Sequence, residues 1–189
     1  MAEILFINAC IRTDSRTLEL AHHVLAQLPG ETEEVKLYEA NLSPLDLQGM
    51  EARDRAARTG DFSDAAFALA RQFADAETIV IAAPYWDLMF PAVMKNYLET
   101  ITVSGLTFVY GENGIPQGLC KAKRLIYVTT AGGPIRQNFG YDYVAALARS
   151  FYGIGRVECV SAEGLDIHGA DVQALLAKAK STFAPAAAE

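Results

Sequence analysis

Thr78-Ile79-Val80-Ile81-Ala82-Ala83 is an unbroken apolar, mostly β-branched run that Pro84 cuts off. A run of this kind suits a strand covered on both faces, as in a parallel sheet. Downstream, Pro91 stands where a first helical turn tolerates it. A helix from about Pro91 to Val103 then places Val93, Met94, Tyr97, Leu98 and Ile101 on one face. Upstream, Asp61 is positioned to cap a helix running to about Ala76. The same order of strand, polar loop and helix recurs on both sides. Toward the N-terminus, Ile4-Leu5-Phe6-Ile7 stops at Asn8 and polar residues follow to Thr17. Leu18, Leu20, Ala21, Val24, Leu25 and Leu28 then recur at helical spacing until Pro29-Gly30. Val35 and Leu37 flank Lys36, with Tyr38 next, and predict a second strand. Residues 41–60 are mixed, with turn signals at Asn41, Ser43-Pro44 and Gly60, while Arg53, Asp54, Arg55 and Arg58 read as a solvated helix face.

Toward the C-terminus, Leu106–Leu119 is an insertion rich in aromatics and glycine turns. Leu125-Ile126-Tyr127-Val128 is a fourth strand of the main pattern and ends at Thr129-Thr130-Ala131-Gly132-Gly133. A helix is expected over about Tyr141–Tyr152, a fifth strand over Val157–Ser161 and a last helix over Ala170–Phe183. The Ala-Pro tail, about 184–189, is expected to fray. Five alternations of strand and helix predict an α/β fold with a parallel five-stranded sheet and helices on both faces. No repeat or linker divides residues 1–189, so a single domain is expected, with the insertion at about 105–120.

The formal net charge is -7, from 16 Lys+Arg against 23 Asp+Glu. Dispersed acidity of this size argues against nucleic acid, which needs a basic footprint. The three cysteines, Cys10, Cys120 and Cys159, form no CxxC pair and predict neither a zinc knuckle nor a thioredoxin motif. His22, His23 and His168 have no metal-site spacing, so no metal is expected. No apolar run reaches the ~18 residues of a membrane span, and the opening MAEILFINAC does not read as a signal peptide. The expectation is a soluble cytoplasmic protein with neither membrane nor nucleic-acid partner.

In open α/β sheets ligands sit beyond the carboxyl ends of the strands, which directs attention to three loops. The first, Cys10 to Thr17, leads from a buried strand into a helix. A helix N-terminus favours phosphate; Ser15 and Thr17 add hydroxyls, and Arg12 and Arg16 can pair with phosphate oxygens. The loop lacks both GxGxxG and GxxxxGK[ST], which speaks against a dinucleotide fold of the Rossmann kind and against an NTPase. It suits a terminal monoester phosphate, though Ser, Thr and Asp also serve as ordinary helix caps. The second loop holds Pro84, Tyr85, Trp86, Asp87 and Leu88. Its aromatic and apolar side chains either flank a flat ring or plug the sheet end against the core or a second copy. The third holds Thr130, Ala131, Gly132 and Gly133, whose paired glycines permit close backbone approach or positive φ. Cys10, near the phosphate loop, is a packing residue or, with its pKa lowered by the helix N-terminus, a reactive thiol. Lys95 is read as a solvated lysine.

Ala82-Ala83-Pro84-Tyr85, Pro91-Ala92-Val93-Met94-Lys95-Asn96-Tyr97-Leu98, Gly105-Leu106-Thr107-Phe108-Val109-Tyr110, Glu112-Asn113-Gly114, Gly118-Leu119, Gly132-Gly133 and Ala162-Glu163-Gly164 occur in that order. In these stretches the chain resembles the FMN-dependent NADH-azoreductase and NAD(P)H:quinone oxidoreductase family. The resemblance implies a flavodoxin-like three-layer α/β/α sandwich with strand order 2-1-3-4-5. It also implies FMN, NADH or NADPH as donor, a two-electron ping-pong cycle with quinones or azo compounds, and a homodimer. FMN phosphate would lie on the Cys10–Thr17 loop, the isoalloxazine against Pro84 to Leu88, and its pyrimidine edge near Thr130 to Gly133. The hairpin near Tyr110 would reach the partner's site, with Tyr110, Phe139 and Tyr141 walling the acceptor pocket or belonging to the core. The chemistry would be carried by the flavin, with no catalytic side chain required.

The chain departs from the azoreductase pattern at Ala9-Cys10, at Tyr85-Trp86-Asp87-Leu88 and at Thr130-Ala131, which puts azo substrates in doubt. Two other readings compete: a flavodoxin-like carrier docking a protein partner, and a flavin-free receiver or binding module. The insertion favours the reductase over the carrier. Asn8-Ala9-Cys10 lacks the acidic pair that a receiver needs.

Overall fold

A computed structural model describes residues 3–184 of the chain. β1 (Ile4–Asn8) lies between β2 (Thr32–Lys36) and β3 (Thr78–Ala82), and β6 (Arg124–Thr130) and β7 (Arg156–Ala162) complete a parallel sheet in the order β2-β1-β3-β6-β7. Counting only the sheet's own strands, this is the expected 2-1-3-4-5. The insertion forms a separate antiparallel hairpin, β4 (Phe108–Tyr110) paired with β5 (Pro116–Gly118). Six α-helices follow in chain order: α1 (Arg16–Leu25), α2 (Leu47–Thr59), α3 (Ala68–Asp75), α4 (Ala92–Ile101), α5 (Phe139–Leu147) and α6 (Val172–Thr182).

The alternation of a strand side chain from face to face sorts the interior into two cores. Ile4 and Phe6 of β1, Val80 of β3 and Ile126 and Val128 of β6 pack with Leu20, Ala21 and Val24 of α1 and Leu176 and Ala179 of α6. Leu5, Ile7, Ile79, Ile81, Leu125 and Tyr127 face the other way, toward Ala70 and Phe73 of α3, Met94, Tyr97 and Ile101 of α4, and Val144 of α5. Burying each of these large side chains contributes roughly 1.5–3 kcal/mol.

Several boundaries differ from expectation. The mixed stretch 41–60 contains α2, which buries only Ala56 and so shows no apolar stripe. Its ends are nonetheless marked: the Asp46 carboxylate accepts the Gly49 amide (2.8 Å), and Gly60 closes the helix in the left-handed region. Arg53 is not simply solvated. It is half-buried and donates to the Glu99 (2.6 Å) and Thr100 (3.2 Å) carbonyls at the end of α4; burial lowers its pKa, opposed by Glu99. The helix expected from Asp61 begins later. Asp64 accepts the Ala66 amide, a 3-10 turn covers Ala65–Phe67, and α3 follows. β2 lies earlier than Val35–Tyr38 because only its Val35 is buried, leaving little apolar signal. The helix expected over Tyr141–Tyr152 starts at Phe139 and widens into a π turn at Ala148–Tyr152, closed by left-handed Gly153. Lys95 lies beside Glu99 and 5.9 Å from the centre of the Tyr143 ring. Beyond Ala184 the tail expected to fray lies outside the described residues.

Candidate active site

β1 delivers the chain to the carboxyl end of the sheet, where Asn8 is buried. Its side-chain Nδ2 donates to Glu34 (2.8 Å) and its side-chain Oδ1 accepts the Cys10 backbone amide (2.8 Å), which turns the loop away from the strand. The loop enters α1 through Ser15, whose hydroxyl oxygen accepts the Leu18 amide (3.3 Å). The first intrahelical bond runs from the Glu19 amide to the Ser15 carbonyl (3.0 Å), so the Arg16 and Thr17 amides point out of the helix start. The capping role occupies one lone pair of the Ser15 oxygen.

Beside this helix start lies a cleft of about 420 Å³, within the range of small-molecule sites. It is lined by Arg12, Ser15, Arg16 and Thr17 of the first loop, by Pro84, Tyr85 and Trp86 of the second, and by Thr130, Ala131 and Gly132 of the third. The three predicted loops therefore converge. Ile11 and Asp14, within the first loop but not singled out in it, also line the cleft, as do Leu165 and Asp166, which the sequence reading missed. Leu165 and Asp166 follow β7, the parallel neighbour of β6. The rule that sites form at strand carboxyl ends, applied to one more strand, would have found them.

The loops are tied to one another. Thr17 is buried, with its hydroxyl 2.7 Å from that of Thr130, so it joins the first loop to the third. The Tyr85 amide donates to the Thr130 carbonyl (3.1 Å) and its phenol to the Gln137 carbonyl (2.7 Å). The amides of Gly164, Leu165 and Asp166 donate in turn to the carbonyls of Gly133, Ala131 and Gly132. Neither Gly132 nor Gly133 adopts positive φ. What Gly132 permits is close approach by the chain itself, since a Cβ there would collide with the Asp166 carboxylate. The Ala131 amide is taken by the Ala162 carbonyl (2.9 Å).

Trp86 and Met89 exchange backbone hydrogen bonds (3.0 and 2.8 Å) across a two-residue turn whose central residues, Asp87 (φ 50) and Leu88 (φ 68), are both left-handed. That is the geometry of a type I′ turn, normally filled by Asn-Gly. The turn lifts Asp87 and Leu88 out of the cleft and leaves Trp86 at its mouth, 45% exposed.

Other predicted residues lie elsewhere. Cys10 faces a neighbouring groove of about 290 Å³, with Glu34 and Tyr38. Burial pushes its thiol up, a Ser15 hydrogen bond opposes this and Glu34 adds to it, so the net shift is upward. The helix N-terminus does not make it a thiolate. Gly133 stands at open space outside the cleft lining. Tyr110 is exposed on the hairpin with its ring edge-on to Phe108. Phe139 is exposed at the start of α5, its amide bonded to the Leu88 carbonyl (3.1 Å). Tyr141 turns inward, donating to the Val157 carbonyl (3.2 Å) and packing near Tyr127.

Residues 2–185 match the family described as having the flavodoxin-like fold. An FMN-dependent NADH:quinone oxidoreductase of Lachnoclostridium phytofermentans is 34% identical, covering 95% of this chain and 95% of its own. Another of that name, from Coprothermobacter proteolyticus, is 33% identical over 92% of each. Among solved structures, an azoreductase from Bacillus anthracis superposes with a TM-score of 0.83 at 23% identity over 96% of both chains. An FMN-dependent NADH-azoreductase from the same species, in complex with FMN, gives 0.76 at 22% identity over 96% of this chain and 97% of its own. At these identities the structural likeness speaks for the fold.

Proposed function

Since the chain belongs to the family of FMN-dependent NADH:quinone oxidoreductases and azoreductases on the flavodoxin-like fold, we propose that it is an FMN-dependent oxidoreductase. It takes electrons from NADH and reduces quinones or azo compounds in two alternating half-reactions. The observation that carries this reading is the cleft, which joins a helix N-terminus to an aromatic shelf. The chemistry of its lining differs from loop to loop in the way the two ends of FMN differ. Hydroxyl, guanidinium and outward amides suit a phosphate monoester, and Pro84, Tyr85 and Trp86 suit a flat ring.

When bound, the flavin supplies the hydride chemistry, accepting from the nicotinamide and donating to the acceptor. The chain's task is to bind and orient. Ser15, Arg12, Arg16 and the amide of Thr17 hold the phosphate, and the Thr17–Thr130 contact keeps that end in register with the third loop. Pro84, Tyr85 and Trp86 flank the ring, with Asp87 and Leu88 at the rim. Thr130, Ala131 and Gly132 form the surface for its polar edge. Among the described residues no acceptor faces the Gly132 and Gly133 amides, whereas that of Ala131 is already bonded. Of the two, Gly132 lines the cleft, so its amide is the donor for charge developing at that edge.

The proposal extends to a cytoplasmic homodimer. Among the described residues no helix is long and apolar enough to cross a membrane. Exposed Trp86, Leu88, Phe139 and Tyr110 supply apolar surface for a second copy, with Tyr110 and Phe139 completing the acceptor pocket there. An absorbance spectrum of the purified protein with added FMN, recorded before and after NADH, is expected to show a bound flavin that bleaches. Menadione should restore the oxidised spectrum. A colourless protein that ignores FMN refutes the reading.

A further inference from the structure

The Arg16 guanidinium does not hang free at the start of α1. Nη1 lies 2.7 Å from Oδ1 of Asp166 and 3.3 Å from the Leu165 carbonyl, about 150 residues along the chain. Asp166 is itself fixed. Its amide donates to the Gly132 carbonyl (2.9 Å), and its carboxylate lies where a Cβ of Gly132 would be. Arg16, Gly132, Leu165 and Asp166 all line the same cleft.

Of the seven ion pairs among the described residues, this is the only one in which both partners line that cleft. Its side chains are 41% and 69% exposed, and pairs so exposed add little stability. A long arginine left free would have to be ordered when a ligand arrives, at a cost in rotamer entropy. Held at one nitrogen, a guanidinium still offers its remaining N–H donors in a fixed plane.

We infer that Asp166 is a positioning residue for the cofactor phosphate: it holds the Arg16 guanidinium across the cleft, so that the phosphate meets an ordered cation rather than a mobile one. The inference rests on the reading of the cleft as an FMN site. It assigns Asp166 no contact with the ring and no part in electron transfer. Lysine at position 16 would keep a single N–H after Asp166 and Leu165 are satisfied, where arginine keeps several in a fixed plane.

The test compares FMN with riboflavin, which has the same ring and no phosphate. Dissociation constants are measured by quenching of flavin fluorescence on flavin-free wild type, Asp166→Asn, Arg16→Ala and the double variant. Asp166→Asn is expected to weaken FMN roughly three- to tenfold, the scale of ordering one long side chain on binding. Riboflavin affinity should stay within about twofold and the thermal midpoint of the flavin-free protein should be unchanged, as for an exposed pair. In the Arg16→Ala background the Asp166 substitution should have no further effect on FMN, the mark of a residue acting through another. Equal weakening of FMN and riboflavin, tighter FMN binding by Asp166→Asn, or additive effects in the double variant overturns the proposal. Wild type binding neither flavin overturns the FMN reading itself, and this inference with it.

Discussion

At Leu88 the backbone sits at φ 68 beside Asp87 at φ 50. A left-handed conformation costs a non-glycine residue about 1–2 kcal/mol, and Leu88 gains little in return, being exposed at the turn. Its hydrogen bond to Phe139 uses the carbonyl and survives substitution. Leu88→Gly is therefore expected to raise stability by roughly 0.5–1 kcal/mol after the extra freedom of glycine in the unfolded chain is subtracted. Urea unfolding measures this through the midpoint at constant slope; a loss of stability would show that the turn is not held against its preference. Cys10 illustrates the opposite lesson at this scale. Position near a helix start suggested a lowered pKa, but burial dominates and raises it. Cys10 should accordingly react with a thiol-specific reagent more slowly than a free cysteine at neutral pH.

At the scale of elements, the hairpin and the end of α5 depend on each other. A Cβ on Gly118 of β5 would run into the backbone of Tyr152 and Gly153, where the π turn closes. Tyr152 is locked from the other side, with its phenol 2.6 Å from the Thr102 hydroxyl and its ring edge-on to Phe73 at 4.9 Å. Neither backbone can yield cheaply. Gly118→Ala should cost about 1–3 kcal/mol, as for other overpacked sites, and hydrogen exchange should rise in both Phe108–Gly118 and Ala148–Tyr152. Exchange rising in the hairpin alone would contradict the dependence.

Across the whole molecule, charge enters the interior at one notable place. Arg124 on β6 is nearly buried and forms a two-pronged pair with Glu158 on β7 (2.9 and 3.0 Å), while Arg156 joins from the sheet edge and Phe183 lies 5.3 Å under the Arg124 guanidinium. Burial pushes the Glu158 carboxyl up, but hydrogen bonds and charge from Arg124 and Arg156 outweigh it and hold it below the ordinary glutamate range. A depressed folded-state value means stability that is present at neutral pH and lost as pH falls through the unfolded value, about 4.3, toward the folded one. Thermal midpoints of wild type should therefore fall with acidification in that window. Glu158→Gln should be less stable at pH 7 by about 1–3 kcal/mol, since it leaves Arg124 without its counter-charge, and should lose less on acidification. Identical pH profiles would remove Glu158 from the account.

The succession of buried strands, three unusual loops and the inserted hairpin was legible in the chain because local signals carry it: apolar runs such as Thr78–Ala83, breaks at Pro84 and Gly132-Gly133, and the hydroxyl-rich approach to α1. Helix α2 was legible only as a solvated face at Arg53, Asp54, Arg55 and Arg58, without its bounds, because a helix that buries one alanine has no stripe to read. Asp166 and Leu165 were not legible, because their meaning lies in partners some 30 to 150 residues away. The chain by itself determines which segments become strands and loops, since those preferences are settled among near neighbours. Only the tertiary structure decides which side chains face the cleft, sending Cys10 and Tyr141 away and bringing Asp166 in, because that choice depends on packing and hydrogen bonding between elements distant in sequence.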